Sequence, residues 1–428
     1  MKALGIEVDG IYCPSVLRKI VQAGTKDTSY KGASETLEEQ AEVQVSAKQC
    51  ERVVQRIGRE RLDETAQSVA RWEALPLPKR RECPASAPKN SWDARVAVVE
   101  FDGGRVQLRD ETWGEKKAKV LGEKRSWWKE SKAACLMTFS GSPSAEDPLP
   151  DLPQSLRNPL FAVPRFLAMG HSGRVDSHAA AGVETTGTCG PAADAPQKIE
   201  VPVEQREYTR WSPEPLVRSV TATCQSYDHL AEITLAAAWE RGFTAANRKA
   251  FLGDGLQVNW RLHREYFPDY EPIVDLMHAL SYVYASAIAS SGQYEQGWRR
   301  YEAWANAVWR GQVNAVIGDI RLLQATTSDA AVLQELDRSR TYLSNNAPRM
   351  QYAKYRRLGL PLTTSHIESV QKQLNIRLKG TEKYWCAEGA EPVVHLRADR
   401  ISETKPLESF WKRRASGQTG FRKRRALT

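Results

Sequence analysis

Val96-Ala97-Val98-Val99-Glu100-Phe101-Asp102-Gly103-Gly104 is the stretch from which the rest of the chain is read. An apolar run of this length, starting at Ala94, fits a strand buried on both faces. Two glycines directly after an acid predict a tight turn at Gly103-Gly104. Val106-Gln-Leu-Arg109 alternates, and Ala118-Lys-Val-Leu121 follows. The expectation is therefore a three-strand antiparallel meander whose first strand leads to Asp102, with that strand central in the sheet.

Two further short runs end in acids. Lys249-Ala-Phe-Leu252 leads to Gly253-Asp254-Gly255, and Pro272-Ile-Val274 leads to Asp275 and into a helix. A third acid, Glu368, opens a helix at Ser365-His366-Ile367-Glu368-Ser369. Along that helix Ile367, Val370, Leu374 and Leu378 form an apolar stripe, and Glu368, Gln371, Lys372 and Asn375 form a polar one beside it. A surface glutamate near a helix N-terminus fits the same pattern, because the helix dipole favours it there.

Two strand-end aspartates and a helix-borne glutamate suit a pair of Mg²⁺ ions. Mg²⁺ prefers oxygen ligands and keeps several waters, so few carboxylates suffice. Two such ions, roughly 3.5–4 Å apart, activate a water or a 3′-hydroxyl and stabilise the leaving oxygen of an in-line displacement. In this reading Asp102 bridges both ions, Asp254 holds one, and Glu368, on a helix at the sheet edge, holds the other. Glycines beside both aspartates are expected to let a phosphate approach. Asp275 and His278 form a D-x-x-H pair that could orient DNA or tune Asp254 through a hydrogen bond. A buried, satisfied core histidine is the alternative.

Elsewhere the chain reads as mostly helical. Within residues 33–72, Glu35–Ala41 is a short helix, Glu42–Val45 is a break, and Ser46 caps a second helix from Ala47. Cys50, Val53, Val54 and Ile57 give that helix a buried face, with Lys48, Gln49, Arg52 and Arg56 off it. The pair resembles a helix-turn-helix whose second helix contacts DNA, and an ordinary helical hairpin fits equally. Residues 76–90 are Pro-rich and basic, a linker; residues 140–210 read as a flexible insert. Helical pattern returns at Tyr227–Arg241 and dominates 280–345. There Tyr294, Trp298, Tyr301, Ala305 and Val308 recur at helical spacing, as a core face or a base-stacking surface.

With 428 residues, two or three domains are expected, and 41% hydrophobic with 26% charged residues is ordinary for a globular chain. A net charge of +9 favours a polyanionic partner. Seven Lys or Arg and no acid follow Ser409, a phosphate-contacting or simply solvated tail. Seven cysteines without a C-x-x-C pair argue against a zinc ribbon and a disulfide framework and for a reducing compartment. The N-terminus has early acids unlike a signal peptide, and no run is long and apolar enough for a membrane span, so a cytoplasmic, nucleoid-associated protein is expected.

The residues resemble the DDE-type transposases of bacterial insertion sequences, in the Mutator-like group and more narrowly the Kra-type. The resemblance is carried by Phe101-Asp102-Gly-Gly-Arg-Val-Gln-Leu-Arg109, by Phe251-Leu-Gly-Asp254-Gly with Trp260, and by Ile273-Val-Asp275-Leu-Met-His278-Ala-Leu. Asn345–Tyr355, Gly359-Leu-Pro-Leu-Thr-Thr-Ser-His-Ile-Glu368-Ser and Arg377-Leu-Lys-Gly with Trp385 and Gly389-Ala390 continue it. It covers about residues 91–139 and 215–402, with a looser match over 33–72.

What the resemblance implies is an α/β fold: an RNase H-like mixed five-stranded sheet with flanking helices, an all-helical insertion and an N-terminal helical region. The boundaries are an N-terminal region 1–75, catalytic parts 91–139, 211–279 and 346–402, a helical insertion 280–345 and a basic tail 403–428. Asp102, Asp254 and Glu368 become the metal-binding catalytic triad, Asp275 and His278 the auxiliary pair, and Lys48, Gln49, Arg52, Arg56 and Lys372 DNA contacts. Two Mg²⁺, replaceable by Mn²⁺, and double-stranded DNA, bound by a homo-oligomer, complete the expectation. Many relatives carry a Gly-Ser-Gly type sequence where this chain has Thr363-Thr364-Ser365, and a longer front end, so a truncated copy is also expected. The alternatives are a non-catalytic DNA-binding relic or repressor, and a nuclease of the same fold without strand transfer.

Overall fold

A computed structural model describes residues 12–88, 92–109, 128–170, 213–380 and 383–416. It is a mixed α/β structure built on one mixed sheet of six strands. The strands are β1 (Arg95–Arg109), β2 (Trp128–Ser140), β3 (Pro215–Thr223), β4 (Lys249–Gly253), β5 (Glu271–Val274) and the two-residue β6 (Trp385–Cys386). Five form the path β3-β2-β1-β4-β5, and β6 pairs with the far end of β1. β1, β2 and β3 are antiparallel neighbours, whereas β4 and β5 run parallel to β1. β1 is central, and Val96, Ala97, Val98 and Val99 are fully buried on it, as a run apolar on both faces requires.

The helices are α1 (Pro14–Lys26), α2 (Tyr30–Ala41), α3 (Ala47–Glu73), α4 (Leu77–Arg81), α5 (Pro159–Ala168), α6 (Tyr227–Glu240), α7 (Gln257–Tyr266), α8 (Leu276–Ala289), α9 (Tyr294–Trp309), α10 (Val313–Thr326), α11 (Ala330–Asn346), α12 (Tyr352–Arg357), α13 (Ser365–Leu378), α14 (Ala387–Ile401) and α15 (Pro406–Ala415). Strand alternation sorts them. The face carrying Phe101 is covered by α6 and α7, where Phe101 stacks on Phe251 and Thr221 bonds Thr234. The face carrying Glu100 and Asp102 is covered by α13 and α14. Helices α8 to α11 form the expected helical block, and Tyr301, Ala305 and Val308 are buried in it. The aromatic stripe is a core face, not a base-stacking surface.

Several expectations change. Gly103-Gly104 is not a turn: β1 runs straight through it, and neither glycine has a left-handed backbone. A Cβ on Gly103 would lie 2.1 Å from Glu130 Oε1, and one on Gly104 would lie 3.0 Å from Gln371 Oε1. The glycines make room for side chains that cross the strand. The meander still has three antiparallel strands, but the second and third are β2 and β3, where no strand was expected; residues 118–121 lie outside the described residues.

The insert is partly ordered. Over residues 140–170 a 3₁₀ turn (Gln154–Arg157) and α5 bury Leu152, Leu156, Ala162 and Phe166. Tyr301 and Trp309 donate to the carbonyls of Leu156 and Leu149, and Arg356 pairs with Asp147. Single large side chains anchor this segment, so its sequence lacks periodicity. The remainder to residue 210 lies outside the described residues. In the linker, α4 forms and Trp239 Nε1 donates to the carbonyl of Glu82 (3.0 Å).

The N-terminal helices pack onto the sheet layers. α3 crosses α14 so closely that a Cβ on Gly58 would lie 2.5 Å from Pro392 Cβ. Ser46 caps α3 in a capping box with Gln49, as the sequence predicts. Ion pairs fix its middle: Arg61 with Asp399 (2.7 Å) and Arg414 with Glu60 (2.7 Å) are buried, and Arg413 with Glu64 is partly exposed. Arg413 and Arg414, expected in a solvated or phosphate-contacting tail, instead anchor α15 to α3. The later basic residues lie outside the described residues. All six described cysteines are free, and among the described residues no helix is long and apolar enough to cross a membrane.

Candidate active site

Asp102, Asp254 and Glu368 come from three elements that meet above the end of β4. Asp102 lies on β1, and its Oδ1 accepts from the N–H of Gly103 (2.7 Å). Asp254 follows β4 directly, with Oδ1 accepting from Leu256 N (3.0 Å) and Asn259 Nδ2 (2.9 Å) at the start of α7. Glu368 is in the first turn of α13, whose Ile367, Val370, Leu374 and Leu378 are buried as the stripe predicts. α13 packs on the sheet face over β1 and β2, not at the edge. Gln371 explains this, since its amide donates to the carbonyls of Asp102 (3.2 Å) and Ser131 (3.3 Å), on adjacent strands.

Asp102 feels the charges of the other two acids. The Asp102 carboxyl is pushed up to about 7, first by burial, against the Gly103 N–H, and then by the charges of Asp254 and Glu368, eased by His278. Glu368 is raised by burial and by Asp275, and relieved by His278 and Lys372. His278 Nε2 lies 3.9 Å from Glu368 Oε1.

The D-x-x-H pair lies beside Glu368 and the start of its helix, and the bonds to the Asp254 carboxylate come from Leu256 and Asn259. Asp275 is the N-cap of α8, its Oδ1 accepting from His278 N (2.8 Å). Its Oδ2 accepts from both the N–H and the hydroxyl of Thr364, the latter at 2.9 Å. Thr364 is thus the N-cap of α13 without capping it. The missing cap comes from β1: Glu100 Oε2 accepts from Ile367 N (3.0 Å). Glu100 is fully buried, and burial, then Asp275 and Glu368, push its carboxyl up to about 8 against the Ile367 bond. Its Oε1 has no hydrogen-bond partner among the described residues.

Sequence reading missed four residues at this site. Glu100 lies two positions before Asp102, which period-2 alternation places on the same face. Tyr342, on α11, donates to the carbonyl of Asp254 (2.7 Å) and lies where a Cβ on Gly255 would be 2.6 Å from its ring; Gly255 has φ +100°. Tyr227 bonds Glu130 (3.0 Å) beneath Gly103. The glycines around Asp102 and Asp254 are therefore filled by Glu130, Gln371 and Tyr342, not left open to a phosphate.

Of the expected DNA contacts, Lys372 is exposed one turn from Glu368. The others lie on α3, away from this site: Arg52 is exposed, Lys48 pairs with Glu51 (2.7 Å), Gln49 is taken up in the capping box, and Arg56 is half-buried.

Among the described residues no three His, Cys, Asp or Glu side chains are already drawn to ligating distance of one another. The donor set nonetheless fits a hard cation: all three acids offer oxygens, and the negative charge of Asp254 and Glu368 bearing on Asp102 is the imbalance that a cation would relieve. No protein-family model and no curated protein matches the chain.

Proposed function

We propose that the chain is a metal-dependent DDE transposase with an RNase H-like catalytic fold, which binds double-stranded DNA at the ends of its own element and cleaves and joins phosphodiesters there. The observation that carries this reading is that the charges of Asp254 and Glu368, both remote in sequence, bear on the buried carboxyl of Asp102. Their setting supports it: three antiparallel strands, two parallel ones, the first acid on the central strand and the second just past its parallel neighbour.

Asp102, Asp254 and Glu368 would hold two Mg²⁺, or Mn²⁺, which supply the activated nucleophile and stabilise the leaving oxygen. Glu100 and Asp275 hold the first turn of α13, so that Glu368 faces Asp102. His278 offsets negative charge beside Glu368. Lys372, exposed one turn along α13, would meet a DNA phosphate and Arg52, exposed on α3, would contact duplex DNA, with the protein acting as a homo-oligomer on paired ends.

The test uses labelled duplexes carrying the DNA that flanks the coding sequence. Cleavage in Mg²⁺ that is abolished by Asp102→Asn, Asp254→Asn and Glu368→Gln, in folded protein, is expected. Cleavage unchanged by all three substitutions would sink the assignment. DNA binding without cleavage by wild type would instead favour a repressor.

A further inference from the structure

At the opposite end of β4 from Asp254, a cavity of about 530 Å³ opens between α3, α4, α6 and the loop before β5. The five residues of β4 separate it from the carboxylates by roughly 16 Å. Its volume lies in the range of small-molecule sites, roughly 300–1,000 Å³. Its walls are aromatic: Trp72 ends α3, Trp239 ends α6, Tyr266 ends α7, and Phe243 and Tyr270 are buried at its floor.

Cations ring the same space. Arg80 stacks on Trp72 (4.9 Å) and donates to the carbonyl of Leu75 (3.0 Å), so it is committed. Lys249 is held by Asp269 at 2.6 Å, beside the Tyr270 ring. Arg81 is different: it lines the cavity, is exposed and has no partner among the described residues. Trp239 already spends its N–H on the Glu82 carbonyl, which leaves its ring as a stacking surface.

An aromatic pocket with one uncommitted guanidinium at its mouth suits a flat ring that carries an anion. Bases stack on aromatic side chains whatever their sequence, at about 1–3 kcal/mol each, and guanidinium is suited to phosphate. We infer that this cavity binds a nucleobase together with its phosphate, the base stacked among Trp72, Trp239 and Tyr266 and the phosphate on Arg81. A free nucleotide and an unpaired nucleotide of a DNA strand share this chemistry. The inference does not rest on the active-site reading.

The test is photo-crosslinking of the full chain, with cross-linked residues mapped by mass spectrometry. The probes are 5-iodo-deoxyuridine monophosphate, a single-stranded tetranucleotide containing 5-iodouracil, and 5-iodo-deoxyuridine without phosphate. Cross-links at Trp72, Trp239 or Tyr266 are expected with the first two probes. A higher yield for the tetranucleotide identifies a strand, and equal yields a free nucleotide. Arg81→Glu, on an exposed position, and Trp72→Leu should each cut the yield about tenfold, the loss expected of one charged contact or one stacked ring. Asp102→Asn should leave it unchanged. Cross-links confined to other residues, an equal yield from the phosphate-free probe, or yields unaffected by both pocket variants in protein with native circular dichroism would overturn the inference.

Discussion

The backbone N–H of Ile367 donates to the buried carboxyl of Glu100 at 3.0 Å, so a side chain on the central strand caps the helix that carries Glu368. The capped N–H of Ile367 and Glu368 are adjacent on α13, and Glu100 lies two positions from Asp102. Any movement of β1 relative to α13 would break this bond and separate the two acids.

Glu100→Gln keeps an acceptor for Ile367, and Glu100→Ala does not. The alanine variant leaves a buried N–H unpaired and should lose about 1–3 kcal/mol. The glutamine variant should retain most of the stability and the metal response of wild type. Urea denaturation with and without Mg²⁺ measures both.

Adding Mg²⁺ should raise the melting temperature, with a shift that grows with concentration as binding to the folded state requires. Asp102→Asn removes a buried carboxyl on which the charges of Asp254 and Glu368 bear. In EDTA at pH 8 this variant should melt at or above the wild-type temperature, yet show little response to Mg²⁺. Differential scanning calorimetry across a Mg²⁺ series decides the matter. A full Mg²⁺ shift in the variant would mean that Asp102 is not a ligand.

Tyr342→Phe removes the bond to the Asp254 carbonyl but keeps the ring over Gly255, so the cost should be about 0.5–1.5 kcal/mol. Gly255→Ala should cost more, because it strains a backbone at φ +100° and collides with that ring. Both should weaken Mg²⁺ binding by calorimetric titration, Gly255→Ala the more strongly.

His395 is buried on α14 and bonds Thr65 of α3 (3.1 Å). Burial holds its pKa below the usual value, against the pull of Asp399. The unfolded chain therefore takes up a proton first as pH falls. Stability is full above about 6.5, the ordinary histidine value, and declines as pH drops below it. His395→Gln should flatten that decline between pH 7 and 5. Urea midpoints at the two pH values give the comparison.

Arg414→Met strands the buried Glu60 carboxylate and should cost about 3–5 kcal/mol, while the double change with Glu60→Leu should recover most of that. Denaturation of the two single variants and the double variant completes the cycle.

Much of this architecture is legible where local pattern and tertiary role agree. β4, β5, α6, the capped start of α3 and the apolar stripe of α13 all follow from periodicity and capping residues. β2 is hidden, because Lys132-Ala-Ala-Cys-Leu-Met137 has no β-branched residue and becomes a strand by pairing with β1. β3, on the outer side of β2, offers only a mixed pattern. The turn expected at Gly103-Gly104 fails because a glycine also serves a neighbour's close approach, which local sequence does not reveal. The three acids can be picked out from strand and helix context. Their supports cannot, since Glu100, Thr364 and Tyr342 act through partners up to 267 positions away.

The close crossing of Gly58 and Pro392, within one turn of the buried ion pairs of Glu60 and Arg61, clamps the middle of α3 onto α14 and α15. Under the proposed reading α3 is then a ruler. A DNA duplex seated on Arg52 would meet the carboxylates at an offset built into the packing, so the number of base pairs between the bound sequence and the cut would be fixed by the core rather than by a tether.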